Sequence, residues 1–317
     1  TDYAGNHRYI SSDGFIVDMT GCGITLIPSE SNGFYSKGNA AYGLYNRKSK
    51  VEVQVHVQDQ GAYSGIRTVD YWIEKDGVKT QSGNLFTYTK IDPAMKDLVN
   101  AWKGKITVDK AKNNSCNVVV YVKTCDNAGN ETVQSVKLDV DNTAPQIQVT
   151  YQDKTNADAA SGYFKARTAT VVITERSHHF DADAATKGIV ITATDVKGKA
   201  VENAYTISSW KTMENKKNPD AATHTAVITY KKDANYTVSV SYKDLAGNKN
   251  ATVNTNGQKS PYKFTVDKTA PTGSVQAVSA EGRTAEWSGL RAVLTYGFCS
   301  KQEITISCTK EDLTSPI

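Results

Sequence analysis

The chain has 317 residues, of which 39% are hydrophobic, and a formal net charge of +4 with acidic and basic residues interleaved. This length suggests two or three domains. The sequence contains no Lys/Arg run of the kind that marks a nucleic-acid surface, and no stretch of about 18 apolar residues that could span a membrane. Its five scattered cysteines lack the spacing of a zinc site or a disulfide framework. We therefore expect no nucleic-acid partner and no membrane insertion in this segment.

Hydrophobic residues alternate with polar ones in many short runs. The first clear run is VEVQVHVQ (51–58), which places Val51, Val53, Val55 and Val57 on one face. Similar runs follow as NVVVYVK (117–123), SVKLDVD (135–141), TATVVIT (168–174), GIVITATD (188–195), HTAVITYKK (224–232), YTVSVSYKD (236–244) and YKFTVD (262–267). A period of two predicts half-buried strands. We predict a helix only in DPAMKDLVNAW (92–102), so the expected fold class is all-β, built from two-sheet sandwiches.

Two short motifs each occur three times. Ala-Gly-Asn stands at 4–6, 128–130 and 246–248, and Asp-x-Thr stands at 18–20, 141–143 and 267–269. The period of about 120 residues is the size of a small domain rather than of a solenoid repeat. Cutting after each Asp-x-Thr predicts the C-terminal remnant of a preceding domain, two complete domains and the N-terminal part of a further domain, at 1–20, 21–143, 144–269 and 270–317.

The repeated motifs predict how neighbouring domains are joined. Gly and Asn tolerate the left-handed backbone of a tight turn, and Pro145 and Pro271 end the sheet ladder and stiffen the exit. Because the joints are short, we expect domains that follow one another as a semi-rigid rod. The first complete domain begins with Gly21 and Cys22 where the others have Ala-Pro. We expect its entry to be looser or differently packed.

The motifs resemble a known family. DNAGN with VDNTAP (126–145), DLAGN with FTVDKTAP (244–271) and YFKARTATVVITER (163–176) are similar to the tandem bacterial Ig-like domains of large Gram-positive cell-surface proteins. The resemblance implies tandem immunoglobulin-like β-sandwiches that contact neighbouring Ig-like domains of the same chain. It also implies an extracellular place at the cell surface or cell wall of a Gram-positive bacterium. The expected role is a stalk or spacer that can contribute to adhesion. On that topology Tyr236 takes the position of a tyrosine corner.

The sequence carries no recognisable catalytic motif. GxSxG, HExxH, GxxxxGK[ST] and GxGxxG are all absent. We therefore expect no enzyme in this segment, and we assign no catalytic, cofactor-binding or metal-binding residues and no cofactor.

One alternative to that assignment concerns calcium. Oxygen ligands gathered near a joint could hold a calcium ion, or the same residues could be solvated turn residues that cap their own backbone. The candidate residues are Asp141, Asn142, Asp181, Asp183, Asp244 and Asn248 at one joint, and Asp18, Asp59 and Asp126 as the corresponding acids of the first complete domain.

Two other functions compete with the stalk. The segment could bind host glycan or host protein, or it could be an accessory region of a surface carbohydrate-active enzyme. A contiguous exposed aromatic patch on one sheet face would favour binding, since sugars stack on aromatic faces. Trp102 and Trp210 lie in less regular stretches than the other tryptophans, which makes them the better candidates for exposure.

Overall fold

The computed structural model describes eleven stretches of the chain, namely 2–9, 17–31, 33–37, 40–61, 64–90, 97–154, 162–250, 253–254, 262–279, 284–287 and 304–311. Strands dominate these stretches, and several sheets pack together as in a β-sandwich. The contacts divide the chain into two compact units. Unit 1 comprises Thr1–Ala144 with Leu245–Asn248, and unit 2 comprises Pro145–Asp244 with Lys249–Ile317. None of the described helices has the length and hydrophobicity needed to cross a membrane.

The described residues of unit 1 form two sheets. Its strands are β1 (Gly23–Pro28), β2 (Gly33–Lys37), β3 (Ala40–Tyr45), β4 (Glu52–Gln58), β5 (Ile66–Lys75), β6 (Val78–Thr87), β7 (Ala101–Thr107), β8 (Ser115–Asp126) and β9 (Glu131–Val140). Three strands form one sheet in the order β1-β4-β7. The other six form the second sheet in the order β2-β3-β9-β8-β5-β6.

The alternating valines build the core of unit 1. Val53 and Val55 of β4 are fully buried, as are Val120 and Val122 of β8 on the opposite sheet, and all four belong to one cluster. Side chains two residues apart lie on the same face of a strand, so each run supplies an apolar face to the space between the sheets. The inward positions that the sequence predicts for these runs are confirmed.

The described residues of unit 2 form two packed sheets and a separate third sheet. Its first strands are β10 (Gln146–Lys154), β11 (Tyr163–Phe164), β12 (Ala166–Thr174), β13 (Ile189–Thr194), β14 (Tyr205–Ile207), β15 (Lys211–Met213), β16 (Thr223–Tyr230), β17 (Ala234–Val240), β18 (Val253–Asn254) and β19 (Tyr262–Val266). One sheet has the order β14-β16-β12-β10-β18, with β15 paired to β16, and the other has the order β11-β19-β17-β13. Three later strands form a separate sheet in the order β21-β20-β22, namely β20 (Thr272–Ser279), β21 (Thr284–Trp287) and β22 (Ile304–Glu311).

Tyr236 makes the contact expected of a tyrosine corner. Its ring is 1% exposed, and its hydroxyl lies 2.7 Å from the carbonyl oxygen of Lys232 and 2.9 Å from that of Ala204. The hydroxyl therefore donates back to the backbone four residues upstream. This bond fixes the turn that leads from β16 into β17.

The structure describes only part of the segment 92–102, for which we predict a helix, and for that part the prediction is wrong. Residues 91–96 lie outside the described residues, whereas Ala101 and Trp102 belong to strand β7. A helix that the sequence analysis did not predict, α1 (Ala182–Lys187), stands in unit 2. Its signals are an Asp at the N-cap followed by an alanine-rich turn. A helix of six residues is too short for periodicity to reveal it.

Candidate cation site

In the first two copies of the Asp-x-Ala-Gly-Asn motif, the turn closes on itself. Asp126 Oδ1 accepts from the backbone N–H of Asn130 at 2.8 Å, and Asp126 Oδ2 accepts from Asn130 Nδ2 at 2.9 Å. Asp2 and Asn6 make the same pair of bonds at 3.0 and 2.7 Å. The glycine of the turn has a φ of 90° in the second copy, a backbone that L side chains rarely adopt. The motif recurs because it specifies a self-contained turn.

The Asp-x-Thr motif also has a structural use in each copy. The Asp side chain accepts from the backbone N–H of the Thr two residues on, at 3.0 Å for Asp18, 2.9 Å for Asp141 and 3.1 Å for Asp267. This is an Asx-turn, in which a carboxylate replaces a backbone acceptor. The same side chains keep further lone pairs for other partners.

In unit 1 the two motifs meet. The second amide hydrogen of Asn130 Nδ2 points to the carbonyl oxygen of Asp18 at 3.0 Å. One side chain thus closes its own turn and holds the segment that enters β1. Gly21 belongs to that segment, and a Cβ there would stand 2.4 Å from Thr132 Oγ1. The next residue, Cys22, is buried in the core. Gly21 and Cys22 therefore stand where the other domains have Ala-Pro, because the segment that enters β1 packs closely against β9.

Three carboxylates converge beside this contact. Asp18 precedes β1, Asp59 follows β4 and Asp126 ends β8, and their relative exposures are 8%, 0% and 0%. One oxygen from each lies within 4.8 Å of one oxygen from each of the others. The sequence analysis equated these three acids as corresponding positions around one joint. The structure brings them together.

Burial raises the pKa values of Asp18 and Asp59, and hydrogen bonds lower them. Burial raises the pKa of Asp59, and the neighbouring Asp18 and Asp126 carboxylates raise it further, against the bond from Gly65 N at 2.6 Å. The backbone N–H of Thr20 and the Ser64 side chain lower the pKa of Asp18. In the part of the chain that the structure describes, no lysine or arginine forms an ion pair with any of the three.

Two buried hydroxyl groups lie near the carboxylates. Ser64 is 7% exposed, and its side chain lowers the pKa of the neighbouring Asp18 carboxylate. The fully buried Thr124 side chain lies close to the Cys22 thiol. Cys22 Sγ is 3.9 Å from Asp59 Oδ1, and burial raises the pKa of this thiol to about 11. Sequence reasoning did not find Ser64, because a single serine in a loop carries no pattern.

Two candidate acids of unit 2, Asp181 and Asp183, have a different use. Asp181 is the N-cap of α1, and its Oδ1 accepts from Asp183 N at 2.9 Å and from Ala184 N at 3.0 Å. This matches the alternative in which such residues cap their own backbone. Asp183 lies in the first turn of the helix, where a negative charge is favourable.

The tryptophans proposed for exposure are half-buried against the cores. Trp102 packs on the core of unit 1 and on Phe86, and Trp210 packs on the core of unit 2 and on Phe180. The aromatic pair on an outer sheet face is instead Trp72 and Tyr121. Their rings are stacked with centroids 4.8 Å apart. Alternation could have found both, because each stands next to a buried core residue of its strand.

Comparison with known proteins gives no assignment. No family model matches the chain, and no curated protein matches it significantly.

Proposed function

We propose that the chain is a non-catalytic stalk or spacer segment of a bacterial cell-surface protein, built from tandem Ig-like sandwiches. In this role it holds a functional part of the parent protein away from the cell wall and adds to adhesion. Its immediate partners are the neighbouring domains of the same chain. The residues that recur along the chain support this proposal, since they serve backbone turns and joints.

The observation that carries the proposal is the bond from Asn130 Nδ2 to the carbonyl oxygen of Asp18. A spacer must transmit orientation, so each domain needs a fixed entry. Here the last turn of the sandwich holds the incoming segment, and both partners belong to motifs that occur three times. A connection of this kind, built from repeated motifs, suits a chain of domains better than it suits an isolated domain.

Small-angle X-ray scattering of the full chain tests the proposal. We expect an elongated particle, because the short Pro-containing joints restrict bending. A variant with eight Gly/Ser residues inserted between Ala144 and Pro145 is the control and should give a broader distribution of distances. A compact globule for the unmodified chain would contradict the stalk.

The outer face of unit 1 favours a second candidate, a glycan- or protein-binding module. Trp72 and Tyr121 stand side by side there, and the serines that flank them in register, Ser82 and Ser135, are exposed. Polar groups surround the pair, including Asp70 with its bond from Asn84 Nδ2 at 2.8 Å. Trp72 and Tyr121 are half-buried, and accessible ring surface beside hydrogen-bonding groups is the combination that binds sugars.

Binding of the full chain to a glycan array tests this second candidate. If it is correct, Trp72→Ala should weaken binding about 30-fold or more, since loss of an aromatic anchor costs about 2 kcal/mol or more at a hot spot. Val133→Ala on the same face is the control and should change little. Absence of glycan binding, or equal binding by the Trp72→Ala and Val133→Ala variants, would contradict the binding module.

A further inference from the structure

One sheet of unit 2 ends in a strand with an unpaired side. β13 is the last strand of its sheet, which has the order β11-β19-β17-β13. The register with β17, together with the bond from Ser241 N to Gly188 O at 2.9 Å, directs the backbone groups of alternate residues away from β17. These residues are Ile189, Ile191 and Ala193. No other strand that the structure describes continues the sheet on that side.

A short arm of the chain begins a ladder on this side of β13 and then leaves it. Val201 N donates to Ala193 O at 2.9 Å. The chain then turns at Asn203, which has a φ of 53°, and enters β14 of the other sheet. The outward N–H and C=O groups of Ile189 and Ile191 have no described strand beside them, and we call this section the open edge. Backbone groups of this kind require hydrogen-bond partners.

A cleft lies beside the open edge. It has a volume of about 580 Å³ and is lined by Ile191–Thr194 and Ala200–Tyr205. Such a volume is typical of ligand sites, which join apolar walls to a few polar groups. Val201 and Tyr205 pack on the core of the unit, and Glu202 is the charged residue of the lining. The cleft therefore combines an apolar wall, outward backbone groups and one carboxylate.

We propose that the cleft binds an extended peptide of a partner protein, which adds an antiparallel strand to β13 and places a basic side chain against Glu202. The arm already pairs with β13 in the antiparallel sense, so the peptide continues its ladder at Ile189 and Ile191. Glu202 is exposed and forms no ion pair within the described stretches. Lys232 Nζ donates to the backbone carbonyl of Glu202 at 2.6 Å. The Glu202 carboxylate therefore selects a Lys or Arg side chain.

The composition of β13 favours strand addition. Ile189–Thr194 contains no charged residue, no proline and no register shift, and Val190 is 54% exposed on its outer face. The edge strand β6 of unit 1 carries Lys79 and two register shifts, and the edge strand β7 carries Lys103 and Lys105. Charged side chains and bulges prevent strand addition at sheet edges. β13 is therefore better suited to accept a strand than either of these two edges.

The experiment is titration of the full chain with a capped peptide, Thr-Val-Thr-Val-Lys-Val-Thr-Val, followed through the backbone amide NMR signals. Its alternating β-branched residues favour the extended form, and its lysine lies on the face opposite to its valines. We expect saturable changes confined to Ile189–Tyr205. With the peptide at about ten times its dissociation constant, exchange of the Ile191 amide with water should slow about tenfold.

Two altered peptides test the backbone contact. A strand residue that faces the cleft beside Ile191 also directs its N–H toward β13 in antiparallel pairing. N-methylation of the lysine nitrogen should therefore weaken binding at least about fivefold, since a hydrogen bond contributes about 1 kcal/mol. N-methylation of the preceding valine is the matched control, because that N–H points to solvent, and it should leave binding unchanged.

A variant of the chain tests the charge. Glu202→Gln should weaken binding of the lysine peptide about two- to fivefold, the effect of one exposed ion pair. Glu30→Gln replaces an exposed glutamate of unit 1 and is the control that should bind as the wild type does. A peptide with glutamate in place of the lysine should bind more weakly to the wild type.

Several results would overturn the proposal. They are absence of saturable changes at about 5 mM peptide, changes outside Ile189–Tyr205, equal effects of the two N-methylations, and equal binding by the wild type and Glu202→Gln. Changes in the same signals when the chain is concentrated without peptide would make a second copy the occupant and refute a partner peptide. The inference goes beyond the stalk and concerns unit 2 alone. A compact particle in scattering would refute the stalk and leave the cleft, and a failed titration would refute the cleft and leave the stalk.

Discussion

Replacing Arg167 by alanine should lower the free energy of unfolding of unit 2 by about 3–5 kcal/mol, the range for truncating a large buried side chain and leaving a cavity. The guanidinium is 4% exposed and lies 3.8–4.8 Å from the ring centroids of Phe164, Tyr151, Phe264 and Tyr262. Its Nε and Nη2 also donate to Asp153 at 2.8 and 3.2 Å. The rings belong to β10, β11 and β19, so Arg167 joins both sheets of the unit. Alanine would leave a cavity between them.

The rings, rather than the ion pair, should account for most of this loss. Asp153 is about one-third exposed, so its attraction to Arg167 is screened by solvent. Asp153→Asn keeps one acceptor and all four rings, and we expect it to cost about 1 kcal/mol. Arg167→Lys keeps the charge but loses the planar stacking on the rings and the paired hydrogen bonds to Asp153. It should therefore lower the free energy of unfolding by at least half as much as Arg167→Ala. Urea unfolding followed by tryptophan fluorescence measures the free energy of unfolding of all three variants. Equal losses for Asp153→Asn and Arg167→Ala would show that the ion pair dominates.

Replacing Gly188 by alanine should cost about 3 kcal/mol, at the upper end for overpacking a close contact. The φ of Gly188 is −73°, so the backbone itself would accept alanine. The added Cβ, however, would stand 1.9 Å from the carbonyl oxygen of Ser241. Ser241 N also donates to Gly188 O at 2.9 Å. The end of β17 would have to move, and that hydrogen bond would be lost.

Gly198→Ala is the control for this prediction. Gly198 has a φ of 81°, and nothing lies within 4 Å of an added Cβ. Its substitution should cost only the strain of a left-handed alanine, about 1 kcal/mol. Thermal unfolding of both variants, with hydrogen exchange of the amides of α1, separates the two effects. A loss at Gly188 no larger than the loss at Gly198 would mean that β17 yields easily.

Local patterns were enough to predict the strands and the turns. In the runs at 51–58 and 236–242, the alternate residues that the period of two predicts to face the core are buried. Such positions depend only on the alternation of side chains along a strand. The turn at Asp126–Asn130 is also local, because all its bonds join residues at most four apart. The short helix α1 was missed because its stability comes from packing rather than from a long periodic segment.

The candidate site could be predicted only in part. The repeated motifs put Asp18 and Asp126 at corresponding ends of a domain, and Asp59 directly follows a clear strand. Their convergence was therefore within reach of the sequence. The burial of all three, the position of the Ser64 side chain beside Asp18 and the contact of Asn130 with Asp18 depend on how distant loops pack.

By itself the sequence determined the all-β class, the inward faces of the strands and the repeated turn, because each follows from side-chain spacing within a few residues. Tertiary structure alone decided which polar groups lose their water and which glycines touch another strand. It placed the cation of Arg167 among four rings and gathered three carboxylates within 4.8 Å. Burial and close approach are properties of residues far apart in the chain, and no local pattern encodes them.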